Sequence, residues 1–360
     1  MITERNIPPE EPIPTVSTIP DVKAGSKNYW QKLVAPYAHS DLRHSLGQLA
    51  NSLLPYLALW GLMIWSLHIS YLLTLALVVP AAGFLMPLLI IFHDCGHGSF
   101  FKSQATNRWV GFFLGVLVFT PGENWWHDHA IHHATAGNLD KRGVGDVMTL
   151  TVEEYIQTSP WKRLTYRIFR HPLIMFIFGP ILVFIILNRF PARGAGKRER
   201  QSVAFVNLTL LAIFLIASLT IGWKAYLMIQ IPVIWLGGAI GLWLFYIQHQ
   251  FEEVYWVRND QWDFIHAALK GASFYKLPRI IQWFSGNIGY HHIHHLMPRI
   301  PNYFLEKCFA DNPELQCVAT FNLRSSLKAL TLRLWDEQSH RMVGFKSVQL
   351  HRARQQAGGT

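Results

Sequence analysis

The sequence predicts an all-α integral membrane protein, with four transmembrane helices in two hairpins and a helical cap on the cytoplasmic side. Composition supports this fold class, because charged residues make up only 15% of the 360 residues and hydrophobic residues 51%. Soluble domains carry about 25% charged residues. Two long apolar blocks supply the helices, since one crossing of a bilayer takes about 20 apolar residues. Histidines cluster just outside these blocks, where the cap is expected.

Each apolar block predicts a helical hairpin. We expect four spans, at about residues 53–68, 71–92, 203–221 and 225–247. The first hairpin turns near His68-Ile69-Ser70, and Gly222-Trp223-Lys224 breaks the second block. An even number of spans returns the chain to its starting side, so both termini are expected in the cytoplasm. The membrane domain then covers residues 29–345, between a proline-rich leader at 1–28, expected to be disordered, and a tail at 346–360.

Two shorter apolar stretches, at residues 109–120 and 172–187, do not fit this pattern. The first has about 12 residues, too few to cross, and is predicted to be interfacial or re-entrant. The second is ambiguous by length, but basic residues flank both of its ends, and basic residues mark the cytoplasmic side. We therefore expect it to lie along the membrane without crossing. The flanking residues are Lys162, Arg163, Arg167 and Arg170 on one side, and Arg189, Arg193, Lys197, Arg198 and Arg200 on the other.

Charge and cysteine content narrow the possible partners. The formal net charge is +10, from 32 Lys and Arg against 22 Asp and Glu. Nucleic acid suits a basic chain, but the long apolar runs favour anionic lipid headgroups over nucleic acid. The three cysteines, Cys95, Cys308 and Cys317, have no regular spacing, which is typical of a reducing compartment and a poor basis for a disulfide framework.

Histidines form three clusters, each just beyond a predicted span. The chain has 18 histidines. Positions i, i+3 and i+4 of a helix share one face, so each cluster presents two or three imidazoles in one direction. Neutral imidazole binds iron, copper, zinc and nickel. Eight histidines exceed what one ion binds, and the lack of thiolates disfavours structural zinc, so we predict a redox-active metal pair such as iron. The clusters are His93 and His97; His129, His132 and His133; and His291, His294 and His295.

Other histidines and acids near the clusters are weaker candidates. His127 and His292 are offset from the cluster faces, and His266 has no cluster around it, so a structural role is expected for each. Ligating histidines usually donate their second N–H to a carboxylate or a carbonyl. The nearby acids are Asp94, Glu123, Asp128, Asp146 and Glu252. The isolated histidines, His39, His44, His68, His171, His340 and His351, are not expected to bind metal.

The clusters resemble the histidine boxes of the membrane fatty-acid desaturase family, which follow H-x(3,4)-H, H-x-x-H-H and H/Q-x-x-H-H. Local strings are similar to those of the omega-6 (delta-12) acyl-lipid branch. The likeness runs from about residue 53 to residue 303. Its strings are His93-Asp-Cys-Gly-His-Gly-Ser-Phe-Phe101, His129-Ala-Ile-His-His-Ala-Thr-Ala-Gly137, Gly143-Val-Gly-Asp146 and Gly289-Tyr-His-His-Ile-His-His295.

The resemblance implies a ligand set and a reaction. The eight box histidines match the family's metal ligands, and His249, just after the last span, matches a ninth. Phe245 stands where stearoyl-CoA members have an asparagine that contacts iron through water, which leaves the tenth ligand without a counterpart. The family uses two iron ions and O2 to introduce a cis double bond into a fatty acyl chain. For this branch the expected change is oleoyl to linoleoyl in a membrane lipid, at the cytoplasmic face of a bacterial inner membrane or its equivalent.

The expected electron donor is ferredoxin or a similar carrier, because the sequence shows no redox domain of its own. Lys141, Arg142 and Arg279 could steer an acidic donor to the cap. Desaturases of other regiochemistry (delta-5, delta-9 or omega-3) and lipid or carotenoid hydroxylases share the boxes and remain alternatives. A histidine-rich metal transporter is a further alternative, but transport sites lie near the middle of the membrane. Here the histidines lie beyond the spans.

Overall fold

The computed structural model describes residues 27–349. The predicted leader, apart from its last two residues, and the tail from residue 350 onward lie outside this range. The described chain is mostly helical, as predicted. In chain order the helices are α1 (Lys27–Val34), α2 (Leu42–Ser66), α3 (Tyr71–His97), α4 (Gln104–Leu117), α5 (Gly122–Thr135), α6 (Val152–Gln157), α7 (Pro160–Phe169), α8 (Lys197–Thr220), α9 (Trp223–His249), α10 (Phe264–Lys270), α11 (Arg279–Phe284), α12 (His291–Leu296) and α13 (Asn302–Asp311).

Four of these helices, α2, α3, α8 and α9, are long and apolar enough to cross a membrane. They form the two predicted hairpins. The first turns between Ser66 and Thr74, whose hydroxyl oxygens lie 2.8 Å apart, and Ser70 caps the start of α3. The second turns at Gly222, whose φ of +87° is a left-handed conformation that glycine adopts without strain. Side chains from α2, α3 and α9 form the buried core between the hairpins, including Met63, Leu88 and Ile229.

The long helices continue beyond the predicted spans into the cap. At about 1.5 Å per residue, the 27 residues of α3 extend about 40 Å, more than the roughly 30 Å of a bilayer's hydrocarbon core. Its last turn therefore projects from the membrane and carries His93 and His97. For the same reason α9 places His249 at its final residue. Hydropathy alone predicted shorter spans, because these projecting turns are polar.

Short helices and two small sheets complete the cap. The sequence did not predict the strands, which have only two or three residues each. Strands β1 (Leu150–Thr151), β4 (Leu334–Asp336) and β5 (Arg341–Val343) form one sheet, in which β1 pairs in parallel with β4 and β4 pairs antiparallel with β5. Strands β2 (Phe274–Tyr275) and β3 (Thr320–Phe321) pair in parallel. The sheets attach the C-terminal part of the cap to the segments that follow α5 and α9.

The apolar stretch after α7 is helical but not a regular α-helix. Ile174–Phe178 and Ile181–Ile186 are π-helical, and Leu187–Arg189 is a 3₁₀ turn. We call Ile174–Arg189 the bent segment, because it makes an angle of 60° with α7. Its 16 residues extend at most about 24 Å, short of a full crossing. Counting α7 and the bent segment as one broken span would give five spans in the described chain. That the bent segment does not cross the membrane stays a prediction.

Two of the basic residues that flank this segment are directed into the protein. Arg170 is fully buried and donates hydrogen bonds to Gln250 Oε1 at 2.7 Å and to the carbonyl of Leu332 at 3.2 Å. Arg189 donates to Asn207 Oδ1 at 2.8 Å. These two guanidinium groups hold the bent segment against the rest of the protein, so the topology prediction depends on the remaining flanking charges.

Candidate metal centre

The nine predicted ligands come together as two adjacent groups of histidines. The five-histidine group contains His93, His97, His129, His133 and His294, and the four-histidine group contains His132, His249, His291 and His295. Within each group, the ring nitrogens offered as ligands all lie within 4.8 Å of one another. No other His, Cys, Asp or Glu of residues 27–349 joins either group. The structure therefore places together every histidine in the predicted ligand set.

Close packing of α5 on α3 builds the five-histidine group. The indole of Trp126 donates to the carbonyl of Phe92 at 3.1 Å. A Cβ at Gly96 would lie 2.2 Å from Trp126 Cδ1, so only glycine leaves room for this ring. The contact sets His129 and His133 beside His93 and His97, and α12 adds His294. The Nε2 of His133 lies 3.1 Å from that of His129 and 3.0 Å from that of His294.

The four-histidine group joins α5, α9 and α12. His249 Nε2 lies 3.2 Å from His132 Nε2 and 2.9 Å from His291 Nε2. His295 Nε2 lies 3.1 Å from His291 Nε2. The four Nε2 atoms thus face a common point. Gly145 allows the loop after α5 to approach, since its φ is +68° and a Cβ there would lie 2.9 Å from the Cβ of His132.

This donor set fits a pair of metal ions. A metal–nitrogen distance of about 2.0–2.1 Å places neighbouring ligand nitrogens about 3 Å apart, the separation seen in both groups. Burial lowers the pKa of His129, His133, His291, His294 and His295 well below the usual value, so these imidazoles are neutral. Neutral nitrogens whose lone pairs face each other repel unless a cation lies between them. The Nε2 of His97 is buried without a hydrogen-bond partner, which also fits a ligand.

Groups behind the histidines fix their orientation. The Nδ1 of His93 lies 3.0 Å from Asp94 Oδ1, and the Nδ1 of His249 lies 2.9 Å from the carbonyl oxygen of Gly271. Both contacts leave Nε2 directed at the group. Asp146 Oδ1 lies 3.6 Å from the Nδ1 of His132, on the side away from the other ligands. Of the five acids considered from the sequence, Asp94 and Asp146 thus contact a clustered imidazole.

Aromatic rings close the sides of the two groups. The indole of Trp125 stacks on His129, with ring centroids 4.4 Å apart and an interplanar angle of 17°. Phe245 packs against His132 and His249, at centroid distances of 5.4 and 5.6 Å. An apolar ring therefore occupies the place of the asparagine found in stearoyl-CoA members. The four-histidine group has no tenth ligand from this position.

The weaker histidine candidates are outside both groups. His127 is largely exposed and lies 4.0 Å from Glu199. His292 is fully buried, but its Nε2 contacts the carbonyl of Leu315 at 3.0 Å, and burial lowers its pKa to about 4. His266 Nδ1 contacts Asp263 at the start of α10, at 2.8 Å. None of the three belongs to either histidine group.

An apolar cavity of about 260 Å³ opens directly onto the histidines. His93, His129 and His291 line it, together with the polar residues Thr120, Asp128, Asn188 and Gln248. The remaining wall is mainly apolar and comes from α3, α9 and the bent segment; it includes Met86, Leu89, Ile90, Val183, Phe184, Leu242 and Phe245. The cavity thus has a polar end at the metal centre and an apolar end between the membrane helices. It fits a linear hydrocarbon chain.

Several contributors to the site were not identified from the sequence. Trp125, the carbonyl of Gly271 and Asn302 contact the histidines or their partners, but no motif marks them. Asn302 donates to Asp94 Oδ2 from its backbone N–H at 2.8 Å and from Nδ2 at 2.9 Å. The contacts of Gly271 and Asn302 join residues separated by 22 and 208 positions, so local patterns carry no signal for them, whereas Trp125 lies one helical turn before His129.

The basic residues expected to steer an electron donor have different surroundings. Arg142 forms an ion pair with Glu154, which offsets its charge. Arg279 is exposed at the start of α11, next to the exposed Ile280. Phe284, at the end of α11, packs on Phe84 near the middle of α3, so this helix faces the membrane. Lys141 is exposed in the loop between α5 and α6, so of the three basic residues it is the one whose charge is available on the cap.

Comparisons with known proteins show what the chain is similar to. A family model described as fatty acid desaturase matches residues 69–320. A fatty acid desaturase of Bacillus subtilis is 49% identical over 317 residues, covering 88% of this chain and 90% of the relative. An sn-1 acyl-lipid omega-3 desaturase (ferredoxin) of a Synechocystis species is 28% identical, covering 61% of this chain and 62% of the relative. An sn-1 oleoyl-lipid 12-desaturase of a Picosynechococcus species is 27% identical, covering 61% and 63%.

Proposed function

The chain belongs to the fatty acid desaturase family and is a membrane-embedded desaturase, and from this premise we propose that its nine clustered histidines bind two iron ions. The observation that carries the proposal is the convergence of nine imidazoles as groups of five and four, with no thiolate or carboxylate among them. Iron and zinc both bind imidazole, but only iron exchanges electrons. The reaction needs an oxidant, and redox-inert zinc cannot supply one.

The acyl chain lies in the cavity beside the histidines. When bound, the metal pair supplies O2 activation, which removes hydrogen from CH2 groups that no side-chain acid or base can attack. In balance, a –CH2–CH2– unit, O2, two electrons and two protons give a cis –CH=CH– unit and two waters. The contribution of the protein is placement: the walls of the cavity hold two adjacent carbons opposite His93, His129 and His291, and their apolar surface excludes water.

Residues behind the ligands hold the imidazoles in the orientation that metal binding needs. Asp94 and the Gly271 carbonyl fix the tautomers of His93 and His249, so that Nε2 stays available to a metal ion. Trp125 restrains the His129 ring by stacking. Phe245 contributes an apolar wall to the cavity beside His132 and His249. This wall suits contact with the hydrocarbon of the acyl chain.

The favoured product carries a new double bond at carbon 12, so that an oleoyl chain in a membrane glycerolipid becomes linoleoyl. Support comes from the strings at residues 93–101, 143–146 and 286–295, which resemble the omega-6 branch. The 12-desaturase relative matches at 27% identity and the omega-3 relative at 28%, so the boxes do not distinguish these positions. One methylene in an apolar pocket discriminates by about 1–3 kcal/mol, so the cavity wall selects the carbon.

The metal centre faces the cytoplasm and receives electrons from ferredoxin or a similar small carrier. Support comes from the basic flanks of the bent segment and from the exposed Lys141 on the cap. One relative is named for ferredoxin. An acidic carrier would be attracted to the basic chain, whose net charge is +10, and its association would weaken as salt screens the charges.

Expression in a bacterium that lacks desaturases tests the function. Isotope-labelled oleate is supplied, and double bonds in the extracted lipids are located by mass spectrometry. Labelled linoleate in glycerolipids, absent with the His291→Ala variant, is the expected result. A new bond at delta-5, delta-9 or omega-3, or a hydroxylated chain, would overturn the delta-12 assignment. No oxidised product from any acyl chain, with the protein inserted and iron-loaded, would overturn the proposed activity itself.

A further inference from the structure

A second, smaller void lies beyond the apolar end of the cavity. Its volume is about 10 Å³, close to the minimum for one water, and an apolar void of this size stays dry. Met86, Leu89 and Phe184 line both spaces, so these three side chains form the partition between them. The remaining wall of the small void consists of Leu85, Val118, Ile234, Gly237 and Gly238.

The small void continues the cavity away from the histidines. On α9 the cavity is lined from Gly241 to Gln248, and the small void from Ile234 to Gly238. At about 1.5 Å per residue, the seven positions from Gly241 to Ile234 correspond to about 10 Å along the helix. On α3 the small void reaches Leu85, two turns before His93. The two spaces are therefore in series along the same helix pair, with the partition between them.

Of the three partition residues, Phe184 is the one that packs against the backbone of α9. Its ring lies against the backbone of α9, where a Cβ at Gly238 would be 2.8 Å from Phe184 Cδ2 and 3.1 Å from Pro180 Cβ. A Cβ at Gly237 would similarly lie 2.9 Å from Leu85 Cδ2. Gly238 thus provides the space into which the Phe184 ring fits, and Gly237 provides the space for Leu85. Any side chain at Gly238 would displace the ring, and the open side of the ring is the acyl cavity.

We propose that Phe184, packed on Gly238, forms the floor of the acyl cavity and sets the greatest length of chain that can extend past the histidines. This inference rests on the proposed function. The polar lining residues Asp128 and Gln248 adjoin His129 and His249 in the chain, whereas Phe184 meets Met86 and Leu89 at the partition, so the methyl end of the chain points to Phe184. The floor therefore determines which chain lengths the enzyme accepts, independently of the metal ligands.

Two substitutions should shift chain-length preference in opposite directions. Phe184→Ala removes the ring and joins the cavity to the small void, so longer chains become accepted. Gly238→Ala displaces the ring toward the histidines, so shorter chains are favoured. One methylene in an apolar pocket changes selectivity by about 10-fold or more. We expect the ratio of desaturated C20 to C16 product to rise about 10-fold in Phe184→Ala and to fall in Gly238→Ala.

Phe176→Ala is the matched control. Phe176 belongs to the same bent segment, but its ring packs on Trp243 and Tyr246, at centroid distances of 5.4 and 5.6 Å, and does not line the cavity. It loses the same ring atoms as Phe184→Ala. If Gly238→Ala fails to accumulate, Met86→Ala tests the partition from the α3 side, and it should shift preference in the same direction as Phe184→Ala.

The experiment combines two readouts on the full-length protein. The first is the profile of desaturated products in cells supplied with saturated and monounsaturated acids of 14 to 20 carbons. The second is the melting temperature of the purified protein in phospholipids of defined chain length, because a chain that fits the cavity stabilises the folded state. In the second readout the most stabilising chain should be longer for Phe184→Ala than for wild type, and unchanged for Phe176→Ala.

These readouts separate the two claims. Unchanged chain-length profiles in Phe184→Ala and Met86→Ala, with wild type active, would overturn the floor. Equal shifts in Phe184→Ala and Phe176→Ala would also overturn it, because the effect would then come from loosening the bent segment. Wild type without product, but with a chain-length optimum that still moves in Phe184→Ala, would refute the proposed activity and leave the floor supported.

Discussion

Asp94→Asn tests whether the residues behind the ligands control metal binding. The Asp94 side chain is 1% exposed and accepts three hydrogen bonds, from His93 Nδ1 at 3.0 Å and from the Asn302 backbone N–H and Nδ2 at 2.8 and 2.9 Å. Asparagine has the same shape, but it replaces one acceptor oxygen with a donor. Either orientation of the amide therefore points an N–H group at another N–H group. His93 loses a charged partner in both cases.

The expected loss follows from the kind of hydrogen bond. A bond to a charged group contributes about 1.5–3 kcal/mol. At about 1.4 kcal/mol per factor of ten, iron affinity should fall about 10- to 100-fold, the range typical of residues behind metal ligands. Asparagine matches the size of aspartate and leaves the membrane helices unchanged, so insertion into the membrane should be normal.

The assay is competition for iron with a chelator of known affinity, on detergent-purified protein. Two variants calibrate it. Asp140→Asn changes an exposed acid that pairs with Arg258, and it should retain wild-type iron affinity. Asn302→Ala removes the Nδ2 donor to Asp94 but keeps the backbone N–H donor and the His93–Asp94 contact, so its effect should be smaller than that of Asp94→Asn. An Asp94→Asn protein with iron affinity within twofold of wild type would refute the reasoning.

Three further predictions concern the ligands, the topology and the donor. His132→Ala should abolish product while His340→Ala has no effect, as measured by lipid profiling at matched expression; an active His132→Ala enzyme would contradict the ligand assignment. Cysteines placed at Ser159 and Ser202, in a variant without the exposed Cys317, should be labelled from the same side of the membrane as the N-terminus, and labelling from opposite sides would show that the bent segment crosses. Turnover with a purified ferredoxin should fall as ionic strength rises, because salt screens the donor's attraction to the basic cap; a salt-independent rate would contradict charge steering.

Helical periodicity predicted that each histidine cluster faces one direction, but the structure divides two of the three clusters between the two groups. His93 and His97, His129 and His133, and His291 and His295 are each spaced i, i+4, and each pair stays in one group. The i+3 residues, His132 and His294, belong to the other group in their clusters. An α-helix turns about 100° per residue, so positions i+3 and i+4 point about 100° apart. One helix can therefore supply ligands to two adjacent metal ions, with its i and i+4 histidines at one ion and its i+3 histidine at the other.

Contacts between distant segments could not be predicted from the sequence. The Gly271 carbonyl is a backbone group that any residue would provide, so no side chain identifies it. The five strands of the cap have two or three residues each, too few for alternation of polar and apolar residues to be visible. Charge predicted exposed basic flanks around the bent segment, but Arg170 is buried, where Gln250 and two backbone carbonyls accept hydrogen bonds from its two terminal amino groups.

Hydropathy alone does not show whether the bent segment crosses the membrane or lines the acyl cavity. Its composition is that of a membrane helix. However, most of it is π-helical and bent from α7, and Val183 and Phe184 line the acyl cavity. Lipid contact and substrate contact both require apolar side chains, so sequence composition alone does not separate them. The glycines at 237 and 238 were the available local signal, because small residues on a membrane helix indicate a close neighbour.

Iron content of the purified protein tests the central claim most directly. Protein produced with added iron is purified without chelators, and metals are measured by mass spectrometry against protein concentration, for wild type and for variants of each histidine group. Two iron ions per chain in wild type, with a loss in both His294→Ala and His132→Ala, is the predicted result. A catalytically active preparation with fewer than one iron per chain, or with a full complement of another metal in place of iron, would contradict the account.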